Sequence, residues 1–280
     1  MPELPEVQTI VDELIREGLP GETITGVSVT WPRTIAGLSP ETFDRRLTGR
    51  RIESVRRRGK YIVFGLSGGR HLLVHLRMSG RLIIEAPEVE RTPHQHVIMA
   101  LGDCRQLRFH DPRKFGRFYL VDDPASILGR LGPEPLAQTF TARRLSRKLG
   151  GRRRTLKPLL LDQSFLAGLG NIYVDEALWD AGIHPLRRSD SLSETESRSL
   201  YRSIRKVLRR GLRNLGTSLG TGQSNFHSLS RRQGRNREQL QVFRRTGETC
   251  RRCQQTIVRM IVGQRATHIC PVCQKTGDEN

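Results

Sequence analysis

The sequence predicts an α+β protein of several domains: a β-sandwich or barrel led by one helix, then a helical domain, then a small zinc-binding hairpin. Three observations carry this reading. One amphipathic period at the N-terminus gives way to short segments rich in β-formers between residues 23 and 121. After Leu131-Gly132-Pro133-Glu134-Pro135, a linker-like stretch, the apolar spacing becomes helical. Near the end, two Cys-x2-Cys pairs stand sixteen residues apart. A chain of 280 residues has room for two or three packed units.

The elements follow in order. Residues 5–17 read as a helix because Val7, Ile10, Val11, Leu14 and Ile15 recur on one face. Pro5 suits its first turn and Gly18 its end. Strands are expected at 23–29, 59–66, 70–76, 80–85, 96–101, 105–109 and 117–121, punctuated by Gly68-Gly69, Gly80 and Gly102-Asp103. Helices are expected at 141–149, 155–161, 172–181 and 193–215. The last opens with a capping box, Ser193 and Glu196, and carries the stripe Leu200, Ile204, Val207, Leu208, Leu212 and Leu215. Its other faces are crowded with Arg, with no acidic residue after Glu196. From Thr217 to Gly234 the composition is Gly, Ser and Arg, which predicts a long mobile loop.

Charge narrows the partner. There are 48 Lys plus Arg against 28 Asp plus Glu, a net +20, and only six of the cations are Lys. Arg is the side chain suited to bidentate phosphate contact. Residues 1–50 carry −3 whereas 201–250 carry +10, so the excess is concentrated rather than uniform. A phosphate-rich partner is the leading expectation. No apolar run reaches the roughly 20 residues of a membrane span, and MPELPEV resembles no secretory signal. Membrane and secreted classes are therefore set aside.

The paired spacing Cys250-x2-Cys253 and Cys270-x2-Cys273 fits one tetrahedral zinc closed by four thiolates, hence structural rather than catalytic. Two disulfides would need an oxidising compartment, and four free thiols would leave the spacing without a reason. The metal is expected to supply most of the folding energy of residues 240–280. Arg265 is expected at the tip of a turn within Gly263–Thr267. Cys104 is expected to be a small buried sheet residue.

Pro2 after Met1 permits removal of the initiator, which would expose a secondary amine. An α-amine titrates near 7.7–8.0, so a sizeable fraction is neutral and nucleophilic at pH 7. Glu3 beside it is suited to shuttling protons.

These features occur together. MPELPEV at 1–7, RRRGKY at 56–61, HLRMSG at 75–80, HDPRKFGR at 110–117, AGLGNIYVDEAL at 167–178, AGIHP at 181–185 and the terminal cysteine array with GQRAT stand in one order. Together, across residues 2–275, they closely resemble the formamidopyrimidine-DNA glycosylase family of bacterial base-excision repair. Leu4 points to that branch rather than to the related endonuclease VIII branch, which starts Pro-Glu-Gly-Pro.

The resemblance implies an N-terminal catalytic β-sandwich domain over 1–131, a helix–two-turn–helix domain over 136–237 with its mobile loop at 217–237, and a zinc-finger hairpin over 238–280. It implies a bifunctional glycosylase and abasic-site lyase acting on oxidised purines, namely 8-oxoguanine and formamidopyrimidines. Pro2 would form the Schiff base, Glu3 would act as acid and base on the sugar, and Lys60 would donate the proton that promotes β-elimination. Arg265 is linked with δ-elimination, read physically as a phosphate clamp. His94, Arg113, Arg153 and Asn171 match DNA-binding positions, and Met78, Arg113 and Phe115 match those filling the hole left by a flipped nucleotide. The implied partner is duplex DNA containing oxidised bases or abasic sites, bound by a monomer across a basic cleft in the bacterial cytoplasm, with one structural zinc. Loop 217–237 is associated in the family with damaged-base recognition. The sequence departs there, with Gly234-Arg235-Asn236-Arg237 where an aromatic is usual. The alternatives are an endonuclease VIII-like preference for oxidised pyrimidines, a non-catalytic damage binder of the same fold, and an RNA-associated zinc-ribbon protein.

Overall fold

The computed structural model describes residues 1–220 and 226–276. By packing, the chain forms two compact units, 1–130 with 212–237 and 131–211 with 238–280.

The first unit opens with helix α1 (Leu4–Arg16), whose Val7, Ile10, Val11 and Leu14 are buried in the core. After β1 (Ile24–Val29) and α2 (Pro40–Leu47) come β2 (Ile52–Arg58), β3 (Tyr61–Leu66), β4 (Arg70–His75), β5 (Arg81–Glu85), β6 (Gln95–Leu101), β7 (Gln106–His110) and β8 (Arg117–Val121). Two antiparallel four-stranded sheets result, ordered β1-β6-β7-β5 and β2-β3-β4-β8. Inward residues of both, among them Ile62, Phe64, Leu72, Val97, Leu107, Phe109 and Phe118, meet α1 in one core. The sandwich expected of this region is therefore formed.

Strand β2 and helix α2 are among the elements that the sequence reading did not place. Strand β2 is charged at Glu53, Arg56, Arg57 and Arg58, so little apolar alternation marks it; it is held by pairing along β3. Helix α2 is short and has only Phe43 and Leu47 buried, with Ser39 accepting from the Thr42 amide at its start. Cys104 is exposed, not buried. It sits in the turn between β6 and β7 at φ 67°, a left-handed conformation set by the turn rather than by packing.

The second unit contains α4 (Ala142–Gly150), α5 (Leu156–Leu161), α6 (Asn171–Ala181) and most of α7 (Glu194–Arg213), after a short α3 (Ala125–Leu128) that ends the first. The capping box is present: the Ser193 amide donates to Glu196 at 2.8 Å and the Glu196 amide to Ser193 Oγ at 3.1 Å. The terminal hairpin is β9 (Val258–Val262) and β10 (Arg265–Ile269). Its core is shared with α6: Trp179, Val242, Ile257, Cys250 and Cys270 form one buried cluster. This is why the hairpin groups with the helices.

The expected division put 217–237 with the helical domain. In the structure the described part of that segment packs on the sandwich, with Leu229 buried among its core residues. Residues 221–225 of the expected mobile loop lie outside the described residues.

Candidate active site and nucleic-acid interface

In the first unit, the chain end and Lys60 belong to one electrostatic cluster. Pro2 and Glu3 are buried at the start of α1. Glu3 and Glu6 form a reciprocal cap, in which the Glu3 amide donates to Glu6 Oε2 at 2.8 Å. Pro5, lacking an N–H, costs the first turn nothing. Lys60 sits with Gly59, at φ 57°, in the two-residue turn between β2 and β3, and is only 5% exposed. Arg57 braces this turn by donating to the Gly59 carbonyl at 3.0 Å and to Gln8 of α1 at 2.9 Å.

The terminal amine, carried here by Met1, is held below its ordinary value. Burial is the main cause, Lys60 and Arg113 act the same way, and Glu3 and Glu6 oppose them. The same burial and neighbouring cations would disfavour the protonated form of a Pro2 amine exposed there once Met1 is removed. His75, on β4 opposite Tyr61, is pushed down to about 3 by burial and by Arg77 and Lys60. It is neutral, and its Nδ1 accepts the Arg77 amide at 3.0 Å.

Met78, Phe115 and Arg113 are presented by two turns. Met78 is 41% exposed and Phe115 47%, unusual for such side chains, and the Arg113 guanidinium lies 4.9 Å from the Phe115 ring centre. The structure puts Phe115 on the surface. Asp111 ties the turns together. It is fully buried, accepts from Ser79 Oγ beside Met78, and accepts from the Gly116 amide beside Phe115 at 2.7 Å. Its own amide donates to the His94 carbonyl at 2.8 Å. His94 is half-buried against His110. Asp111→Asn would replace one acceptor oxygen by a donor and leave a buried amide or hydroxyl unmatched. We expect a loss of about 1–3 kcal/mol in denaturant titration together with weaker DNA binding. Unchanged values in both would show that the two turns are held otherwise.

In the second unit Asn171 is the first residue of α6, preceded by Gly170, which has no side chain to cap the helix. Gly168 stands at φ 91° and donates to Gln163, whose amide in turn holds the carbonyls of Leu161 and Leu169. Residues 165–170 of this turn are buried, and Asn171 is half-buried at the start of the helix. Asn171 Nδ2 donates to the Ala266 carbonyl of β10 at 2.8 Å. Arg153 is 87% exposed, with Asp190 3.8 Å away.

Arg265 is exposed but not at the tip of its hairpin. Gly263 and Gln264 form the two-residue turn, both with positive φ, and Arg265 opens β10 opposite Val262. A turn of two left-handed residues matches strand twist, which places the bend one residue earlier than expected.

Buried ion pairs that sequence reasoning passed over fix this hairpin on α6. Lys157, fully buried, donates to Asp175 at 2.6 Å, to Thr267 Oγ1 at 2.8 Å and to the Ala266 carbonyl at 3.0 Å. Asp175 also accepts the His268 amide at 2.9 Å. Glu176 accepts the amides of Gln241, Val242 and Phe243 and pairs with Arg210 at 2.7 Å. Acidic residues on an otherwise apolar helix were the available signal.

The four cysteines converge, with all Sγ atoms within 4.8 Å of one another. Three of the six edges, at 3.3, 3.4 and 3.9 Å, bracket the roughly 3.8 Å of a tetrahedron with Zn–S bonds near 2.3 Å. The Arg252 amide points at Cys250 and the Cys273 amide at Cys270, each at 3.4 Å. Burial opposes the Cys250 thiolate, but amide donation from Arg252 and Cys253 brings the thiol down to about 6. The donor set fits one structural zinc.

Comparison with known proteins agrees with this geometry. Residues 1–118 match the formamidopyrimidine-DNA glycosylase N-terminal domain, 131–222 its H2TH domain, and 247–276 the zinc finger found in FPG and IleRS. The formamidopyrimidine-DNA glycosylase of Protochlamydia amoebophila is 47% identical over 98% of this chain and 100% of its own length. That of Herpetosiphon aurantiacus is 45% identical over the same shares. Among solved structures, a Lactococcus lactis FPG mutant with Fapy-dG containing DNA superposes with TM-score 0.90 at 36% identity, covering 98% of this chain and 100% of that one. The Lactococcus lactis Fpg with an abasic site containing DNA gives 0.89 at 36%, covering 98% and 99%.

Proposed function

The chain belongs to the formamidopyrimidine-DNA glycosylase family, and from that premise we propose that it excises oxidised purines from duplex DNA and then cuts the strand. The observation that carries this reading is the burial of Pro2 and Glu3 at the start of α1, with Lys60 buried in the adjoining turn and the charges of Glu3, Glu6, Lys60 and Arg113 all acting on the terminal amine.

Once Met1 is removed, the Pro2 nitrogen attacks C1′ of the damaged nucleotide. The N-glycosidic bond breaks, its electron pair leaves with the base, and an iminium joins Pro2 to the sugar. Glu3 handles the proton on the sugar as its ring opens. Lys60, a donor that can part with a proton where Arg cannot, assists β-elimination. Arg265 holds the phosphate through the second elimination, leaving a one-nucleotide gap with a phosphate at each end. Met78 and Phe115 replace lost stacking while Arg113 faces the orphaned base. His94, Arg153 and the Asn171 helix start hold backbone phosphates. The zinc, when bound, is structural and supplies no chemistry to these steps. No described helix is long and apolar enough to cross a membrane. We place the site of action on chromosomal DNA in a bacterial cytoplasm, with the chain acting as a monomer.

A lesion panel tests this. Duplexes carrying formamidopyrimidine or 8-oxoguanine should be cut faster than duplexes carrying oxidised pyrimidines; the reverse order would assign the endonuclease VIII-like preference. Binding should also weaken by orders of magnitude between about 50 and 200 mM salt. A flat response would remove the phosphate contacts from the account.

A further inference from the structure

Strand β2 puts a cation where its pattern calls for an apolar residue. Arg57 pairs in register with Ile62 of β3, which is fully buried in the sandwich core. Paired residues share a face, so Arg57 lies on the inward side, while Arg56 and Arg58 pair with Val63 and Tyr61 on the other. A guanidinium drawn toward a core is tolerated only when its donors are matched. The Nε of Arg57 donates to Gln8 Oε1 at 2.9 Å, and its Nη1 donates to the Gly59 carbonyl at 3.0 Å. Gln8 is itself oriented. Its Nε2 donates to Asp12 Oδ1 at 2.8 Å, one turn along α1, which turns its oxygen toward Arg57. One planar fork therefore clasps the β2–β3 turn to the helix that carries the chain end.

What the clasp holds is Lys60. The turn has two residues: Gly59, at φ 57°, supplies the left-handed first position, and Lys60 is the second. The Gly59 carbonyl and the Lys60 nitrogen share one peptide plane, so a bond to that carbonyl fixes the direction in which Lys60 leaves the turn. The chain end has a support of its own, the reciprocal cap between Glu3 and Glu6. On the glycosylase and lyase reading, on which this inference rests, the nucleophile and the elimination donor are thus held separately. We propose that Arg57, anchored on Gln8, is a positioning residue for Lys60, acting on strand cleavage and not on covalent attachment. In that cleavage the C2′ proton passes to water and its electron pair forms the C2′–C3′ double bond. The C3′–O bond breaks with its pair on the phosphate oxygen, and Lys60 donates to that oxygen as it leaves.

The test uses the full-length, zinc-loaded protein on duplex with a preformed abasic site and reads two rates. Borohydride trapping reports covalent attachment, and strand scission reports elimination. Arg57→Met keeps the stem and loses the fork; Gln8→Ala removes the acceptor; Gln8→Glu keeps one. Single-turnover scission should fall about tenfold in Arg57→Met and Gln8→Ala while trapping stays within about twofold, and Gln8→Glu should recover scission. Combining Arg57→Met with Gln8→Ala should slow scission no further than the worse single variant, because both break one clasp. Should Arg57→Met fail to fold, the two Gln8 variants, at a half-buried helix position, decide alone. Equal losses in trapping and scission, or no loss in either, would overturn the positioning role. Absence of trapping and scission with the unmodified protein would instead overturn the glycosylase and lyase reading itself.

Discussion

Protein that retains Met1 is expected to release no base, although it still binds DNA. Retention makes the Pro2 nitrogen a tertiary amide whose lone pair is delocalised into the carbonyl. Loss of a covalent nucleophile removes the reaction path, so single-turnover excision should fall on the order of a thousandfold or more. Binding should persist because Arg113, Arg153 and Asn171 do not depend on that nitrogen. Lys60→Ala should behave differently. It removes a buried proton donor and leaves the attacking group in place, so chemistry should slow by about 10²–10⁴ while the covalent intermediate still forms. Excision assays on a Met1-retaining form and on Lys60→Ala, side by side, check both. Equal rates for processed and unprocessed protein would remove Pro2 from the mechanism.

Loss of zinc should have the largest structural effect. A four-thiolate zinc site contributes roughly 10–16 kcal/mol of apparent binding energy, comparable to a whole domain's stability of about 5–15 kcal/mol. The finger's own core is small, since Val258 and Ile261 of β9 are exposed, its buried cluster leans on Trp179, and its other ties run to α5 and α6. Cys253→Ser or chelation should therefore release residues 247–276 while the sandwich remains folded. Arg265 would lose its strand, and Asn171 and Lys157 would lose their Ala266 partner. Elemental analysis should find one zinc per chain, and hydrogen exchange should rise in the finger alone. Freshly purified protein without metal, or exchange unchanged after chelation, would contradict this.

The site was legible where chemistry demands particular residue types at fixed spacing. The Cys pairs and Pro2 with Glu3 could both be read along the chain. What escaped were residues whose meaning is a partner far away in sequence. Asp111 looks like one acid in HDPRKFGR until Ser79 and Gly116 are brought to it. Lys157, Asp175 and Glu176 look like solvated charges until α5, α6 and the hairpin bury them. Arg57 reads as one cation in a row of three, since nothing local announces Gln8. Strand β2 escaped because a neighbouring strand, not its own alternation, holds it. Arg265 was displaced by one position because the handedness of a two-residue turn depends on backbone angles that composition does not give.

The central claim is that the chain end, and not a lysine, is the nucleophile. Borohydride reduction of the complex with formamidopyrimidine-containing duplex, followed by proteolysis and mass spectrometry of the DNA-linked peptide, tests it most directly. The expected product is a single cross-linked peptide beginning at Pro2, modified on its terminal nitrogen. A cross-link on the peptide carrying Lys60, or on any other internal lysine, would contradict it.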